Sequence, residues 1–176
     1  HIADGEAFAT NYFTIPTASS EMFVSYWWRT ANADAADNTI IKMTRLNSSS
    51  QAGGGGVYNG AGNTTLGGTY NLASQSGPYC AYNNGVTSEV ILKYLACPPN
   101  NTWFRVEMYK KLSTPGLNDG IIEVKLYGVD QASDAAAMTR AAGFSFLLDT
   151  VLLGLMDGNS LTHNYEIYID DVYIDT

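Results

Sequence analysis

Apolar and polar positions alternate with a period of two along much of the chain. The clearest case runs from Trp103 to Gly128, WFRVEMYKKLSTPGLNDGIIEVKLYG. Trp103, Arg105, Glu107 and Tyr109 fall on one side of an extended backbone; Phe104, Val106, Met108 and Lys110 fall on the other. Ile121 to Tyr127 alternates in the same way over most of its length. Such a period marks a strand, because successive side chains point to opposite faces of the pleat. Ser113-Thr114-Pro115-Gly116 and Asn118-Asp119-Gly120 separate the two runs. Both favour turns, since proline presets one torsion and glycine accepts positive φ. The stretch predicts a hairpin.

The same reading extends to the rest of the chain. Phe8 to Ile15 predicts a short strand ending at Pro16. Ser19 to Ala31 predicts a clearer one, with Phe23, Ser25, Trp27 and Arg29 alternating against Val24, Tyr26 and Trp28. Both of its faces are bulky, which suits one face in a core and one lining a groove. Thr39 to Leu46 sets Ile41, Met43 and Arg45 against Ile40, Lys42 and Thr44. Gln51 to Gly68 is glycine-rich but lacks the GK[ST] of a phosphate loop. It predicts a flexible loop with a short strand near Val57-Tyr58. Further strands are predicted at Thr69 to Ala73, Tyr79 to Tyr82 and Val90 to Leu95; Asn83-Asn84-Gly85 is a hairpin turn signal. Gln131 to Ala142, rich in alanine, is the one predicted helix, with a loop carrying a helical turn as the alternative. Phe144 to Leu148 and Val151 to Leu155 predict two short strands or one bulged strand. Tyr165 to Asp175 closes the series, and its broken alternation at Asp170-Asp171 predicts a bulge or bend. Many strands and little helix predict an all-β fold: a two-sheet antiparallel β-sandwich in a single domain, 1–176.

Composition narrows the partners. The 176 residues are enough for one well-buried core. Charged residues make up only 15%, the net charge is -8 and the pI is about 4.5. A nucleic-acid partner needs a basic footprint, and none is present. Anionic membranes are equally poor partners, and no apolar run is long enough to predict a transmembrane helix. Neutral sugars or calcium fit this balance better. The chain begins with His1, which predicts a processed protein or an excised domain. Cys80 and Cys97 bracket a short segment; a disulfide between them would restrain the unfolded chain by about 3 kcal/mol, and two free thiols are the alternative. Asn-x-Ser/Thr sequons begin at Asn47, Asn63 and Asn100 in surface-like settings. Cysteines and sequons together predict a secreted or extracellular protein.

Three stretches resemble concanavalin A-like jelly rolls, notably those related to polysaccharide lyases. The hairpin supplies W-x-R-x-E at 103–107, PG at 115–116 and DG at 119–120. EMFVSYWWR, 21–29, looks like an inner strand of that family. IYIDDVYID, 167–175, is similar to its closing strand, where a paired Asp is common. The resemblance implies the jelly roll, which hosts lyases, glycosidases, lectins and structural or adhesive modules. Glycosidases of this shape carry a Glu-x-Asp-x-x-Glu strand; beyond Glu6 near the N-terminus, Glu21, Glu89, Glu107, Glu123 and Glu166 are dispersed instead. A lyase needs a base such as Tyr or His and a positive group facing the sugar carboxylate. Tyr109, Arg105 and Lys110 offer those types, although a plain hairpin framework accounts for them equally. The expectation is a non-catalytic extracellular module, with no catalytic residue, that binds carbohydrate or mediates adhesion. One alternative is a self-assembling subunit of a filament, tube or virion surface. The other is a polysaccharide lyase acting on uronate-containing glycans.

The predicted carbohydrate site is Tyr26 and Trp28 as flat rings, with Arg29, Arg105 and Glu107 as hydrogen-bonding groups. Packing alone competes with this reading, since Trp27 and Trp28 face opposite ways and at least one belongs to the core. Asp170 and Asp171 are the metal candidates, because calcium takes several hard oxygens. The resemblance implies a structural calcium that joins the closing strand to the N-terminal segment, where Asp4 or Glu6 could complete the site. His1, His163 and Tyr165 are the ligand types of a copper monooxygenase, but their surroundings do not resemble those enzymes. The partners expected are a glycan or further copies of the chain, the latter through strand addition.

Overall fold

Alternation becomes burial in the central hairpin. In β7 (Phe104–Lys111), Phe104, Val106, Met108 and Lys110 are buried, whereas Arg105, Glu107 and Tyr109 lie towards solvent. β8 (Ile121–Leu126) pairs with it from Val106↔Leu126 to Lys111↔Ile121. The connection is closed by its own chemistry. Leu117 N donates to Thr114 O at 2.9 Å across Pro115-Gly116, and Gly116 has φ 84°. That is the type II turn, whose third position needs positive φ and therefore glycine. The Asp119 carboxylate accepts from Thr114 N at 2.7 Å and Thr114 Oγ1 at 2.8 Å, and Gly120 N donates to Ser113 Oγ at 3.0 Å.

The computed structural model describes residues 8–31, 40–47, 64–69, 79–83, 93–96, 101–117, 119–126, 129–135, 147–156 and 166–176. The other strands are β1 (Phe8–Ser19), β2 (Glu21–Ala31), β3 (Ile40–Asn47), β4 (Thr64–Thr69), β5 (Tyr79–Asn83), β6 (Lys93–Ala96), β9 (Val129–Ala135), β10 (Leu148–Met156) and β11 (Glu166–Asp175). They form a six-stranded sheet in the order β1-β10-β3-β4-β5-β6 and a five-stranded sheet in the order β11-β2-β7-β8-β9. Every pairing is antiparallel. The fold is an all-β, two-sheet antiparallel sandwich of the jelly-roll kind. No helix occurs among the described residues, so none there could cross a membrane.

The core lies between the sheets. The five-stranded sheet contributes Met22, Val24, Tyr26, Trp28, Phe104, Val106, Met108, Val124 and Leu126; the six-stranded sheet contributes Leu46, Val151 and Leu153. The Tyr26 hydroxyl is hydrogen-bonded to Thr44 Oγ1 of β3, a tie between sheets. It satisfies two hydroxyls that would otherwise be buried without a partner.

Several predicted elements shift. The predicted helix Gln131 to Ala142 begins inside β9, which pairs with β8 as far as Ile121↔Ala135. Cross-strand pairing overrides the weak helical preference of its alanines. A strand occupies Thr64–Thr69; positions 70–73 of the one expected at Thr69 to Ala73 fall outside the described residues, as does Val57-Tyr58. Val151 to Leu155 belongs to one longer strand, β10. β1 passes Pro16 and runs to Ser19; its pairing with β10 shifts register between Thr14 and Ser19. Proline is tolerated there because β1 is an edge strand, where its missing N–H costs no ladder bond.

Candidate functional site

β2 sorts the aromatic residues into two environments. Tyr26 is 1% exposed and Trp28 is 0% exposed, and their rings meet edge to face in the core at 6.2 Å. Burial pushes the Tyr26 phenol well above its ordinary value. The expectation that these two rings face a sugar is therefore corrected: the alternation is right, but their face packs against the other sheet. Lys110 is 0% exposed and lies on the same inner face, where burial holds its amine well below the ordinary lysine value. It is not available as a groove cation.

Arg29, Arg105 and Glu107 do come together, on the outer face of the five-stranded sheet. Cross-strand register sets out successive rows there: Tyr168 beside Arg29, then Asp170-Trp27-Arg105, then Tyr173-Ser25-Glu107-Lys125, then Asp175-Phe23-Tyr109-Glu123. The Arg29 guanidinium sits 4.2 Å from the Tyr168 ring centroid and 5.4 Å from that of Trp103. The two rings meet each other edge to face at 6.4 Å. Arg105 Nε lies 3.0 Å from Glu107 Oε1, and Arg105 Nη2 donates to Ser25 Oγ at 3.3 Å. Tyr109 donates to Glu21 Oε2 at 2.6 Å, and Tyr168 donates to Glu166 Oε2 at 2.7 Å. A shallow pocket of about 210 Å³ at the far end is lined by Glu21, Phe23, Tyr109 and Asp175.

Asp170 and Asp171 are exposed on β11, at the register shift between Asp170 and Tyr173. Asp171 has φ 48°, a left-handed conformation that aspartate tolerates better than most residues. Asp170 Oδ1 accepts from Asp171 N at 2.9 Å. The predicted bulge is present. Among the described residues no three His, Cys, Asp or Glu side chains gather as a metal site. Asp4, Glu6, His1, His163 and Tyr165 lie outside the described residues, as do Cys97, Asn63 and Asn100. Cys80 is in β5, opposite Gly68 and Leu95, and Asn47 ends β3.

The six-stranded sheet has its own outer face, which sequence reasoning missed. The register of β3 on β4 shifts between Lys42 and Thr44, leaving Met43 as an extra residue. Thr44 and Leu46 are buried, so position 45 belongs to the outer face. Arg45 pairs with Thr65 and Lys42 with Gly67; residues 65 and 67 are two apart, so positions 42 and 45 share that face. Without the bulge, alternation separates them. Continuing across the sheet, one row reads Arg45-Thr65-Asn83 and the next Lys42-Gly67-Ala81-Tyr94, with Thr69-Tyr79-Ala96 beyond. Tyr12 and Thr150 extend this face towards β1, their hydroxyl oxygens 3.4 Å apart.

A jelly-roll sandwich related to lyase-like and lectin-like folds is the class these features define. No protein-family model matches the chain, and no curated protein matches it in sequence. Solved structures do match it in fold. The alginate lyase Aly36B superposes with a TM-score of 0.77 at 13% identity, covering 99% of this chain and 78% of its own. The endo-β-1,4-glucuronan lyase of the fungus Trichoderma reesei gives 0.67 at 14% identity, covering 99% and 77%. The PL-14 alginate lyase of Aplysia kurodai gives 0.59 at 17% identity, covering 92% and 72%. The expectation of a non-catalytic chain is corrected by these likenesses: its fold is one that several polysaccharide lyases share.

Proposed function

We propose that the chain is a polysaccharide lyase that cleaves uronate-containing glycans on the outer face of the six-stranded sheet. One observation carries the reading: the β3 bulge brings positions 42 and 45 to the side that also holds Tyr79, Asn83 and Tyr94. Three strand spacings separate Lys42 from Tyr94, about 14 Å, and only Gly67 and Ala81 stand between them in the row. The row has small residues in the middle and functional ones at both ends. The fold shared with lyases supports the same conclusion.

The chemistry demands these residue types. In β-elimination a base takes the proton on C5 of the uronate. Its electron pair forms the C4=C5 double bond, the C4–O bond breaks, and the leaving oxygen takes a proton. The C5 proton becomes acidic only when the neighbouring carboxylate is neutralised, the task of Lys42 and Arg45 with Asn83 as a neutral donor. Tyr94 and Tyr79 are the candidates for the two proton transfers. No pair of carboxylates is needed, which agrees with the dispersed glutamates. In a chain with nine Lys and Arg against seventeen Asp and Glu, two cations on one sheet face weigh heavily in binding an acidic polymer. Polymeric glycans of this kind are met outside the cell, in keeping with the three sequons and the cysteine pair.

Incubation with alginate and with glucuronan tests the proposal, read as the ultraviolet absorbance of new unsaturated ends. Activity is expected on at least one, with Lys42→Ala and Tyr94→Phe each lowering it by about a hundredfold or more. Complete inactivity on both polymers, or full activity in both variants, would sink it.

A further inference from the structure

We propose that the outer face of the five-stranded sheet is a second glycan surface, selective for a neutral polysaccharide. It goes beyond the lyase reading and does not depend on it, because the core separates the two faces.

Three observations converge. First, two of the chain's three tryptophans lie on this face: Trp103 is 38% exposed and Trp27 is 36% exposed. Tyr168 and Tyr173 join them, so aromatic groups recur along β2, β11 and the residue that leads into β7, in successive rows about 7 Å apart. Flat rings offer stacking area to the C–H faces of sugars at little entropic cost, since each has few torsions to fix.

Second, the polar groups among the rings are already held in place. Arg29 is clasped by Trp103 and Tyr168, Tyr168 is bonded to Glu166, and Arg105 is bonded to both Glu107 and Ser25. Pre-ordered side chains lose less freedom on binding. Arg29 Nε is buried without a hydrogen-bond partner. An orphaned donor costs stability and so points to a residue kept for its position.

Third, charge selects the occupant. On this face stand four cations, Arg29, Arg105, Lys111 and Lys125, and six carboxylates, Glu21, Glu107, Glu123, Glu166, Asp170 and Asp175. This slight negative excess disfavours a uronate polymer. It also disfavours a second copy of the face, which would bring like charge against like. A neutral glycan meets no such penalty, and its hydroxyls can donate to the carboxylates while the rings take its C–H faces.

Native affinity gels containing hydroxyethyl cellulose, galactomannan or laminarin test this, with alginate gels in parallel. The chain is expected to be retarded by at least one neutral polymer. Trp27→Ala and Trp103→Ala should each weaken that retardation about tenfold or more, with circular dichroism confirming the fold. Retardation by none of the three, or retardation unaltered by both substitutions, overturns the proposal. A concentration-dependent dimer that dissociates on Trp27→Ala overturns it in favour of self-association. Release of unsaturated ends from alginate by the unmodified chain reads the other face, so the two proposals fail separately.

Discussion

Trp27 and Trp28 are adjacent in sequence, yet one is 36% exposed and the other is 0% exposed. Trp28 shares the core with Tyr26, Phe104 and Val106. Trp27 stands in the outer row between Asp170 and Arg105. Residue type does not separate them; the parity of a pleated strand does. The adjacent pair is thus one core residue and one surface residue, as their opposite facing requires, and only the second can meet a ligand.

Substitutions should divide along the same line. The largest effect is expected from Trp28→Ala, a loss of about 3–5 kcal/mol in denaturant unfolding, because a filled core position becomes a cavity. A loss below about 1 kcal/mol would break the assignment of Trp28 to the core. Tyr26→Phe comes next at about 1–3 kcal/mol, since it removes the buried partner of Thr44 across the sheets. Double-mutant cycles with Thr44→Val would sharpen this, as coupling between the two positions is the signature of a direct bond.

Alkali probes the outer face. Hydrogen bonding to the Glu21 carboxylate pushes the Tyr109 phenol up to about 12, helped by its partial burial and by the charges of Glu21 and Glu123. The folded value is raised, so this contribution to stability is complete below the ordinary tyrosine value of 10 and is lost as pH rises through about 12. Spectrophotometric titration of Glu21→Gln should show one tyrosine ionising nearer its ordinary value. The smallest change in stability is expected from Trp27→Ala, within about 0.5 kcal/mol, with acrylamide quenching reduced because one of the two accessible indoles is lost.

Period-two reading makes the architecture legible wherever the strand is regular. The hairpin of β7 and β8, the turn at Pro115-Gly116 and the bulge at Asp170-Asp171 all follow from local signals, and Lys110 was already on the side of Phe104 and Met108. What sequence cannot rank is which face of a doubly bulky strand turns inward, because that depends on the partner sheet. Tyr26 and Trp28 lie on the side of that choice opposite to the one expected for a sugar platform. The Lys42–Arg45 face was hidden for a different reason. The extra residue Met43 inverts the parity of everything before it, and nothing in Ile41-Lys42-Met43-Thr44 marks it locally. Likewise, the alanines of β9 say helix until β8 pairs with them.

The strand order also sets the tempo of folding. β1 finds its partner in β10, Phe8 opposite Met156, and β2 finds one of its two in β11, Ala31 opposite Glu166. In both sheets an early strand has to wait for the last third of the chain to be made. Closing such long loops first costs entropy and is repaid late, so folding should be slow, on the order of milliseconds to seconds. Until β10 arrives, the apolar side of β3 has no neighbour on that flank. The interval between synthesis and closure is when this chain is most exposed to aggregation.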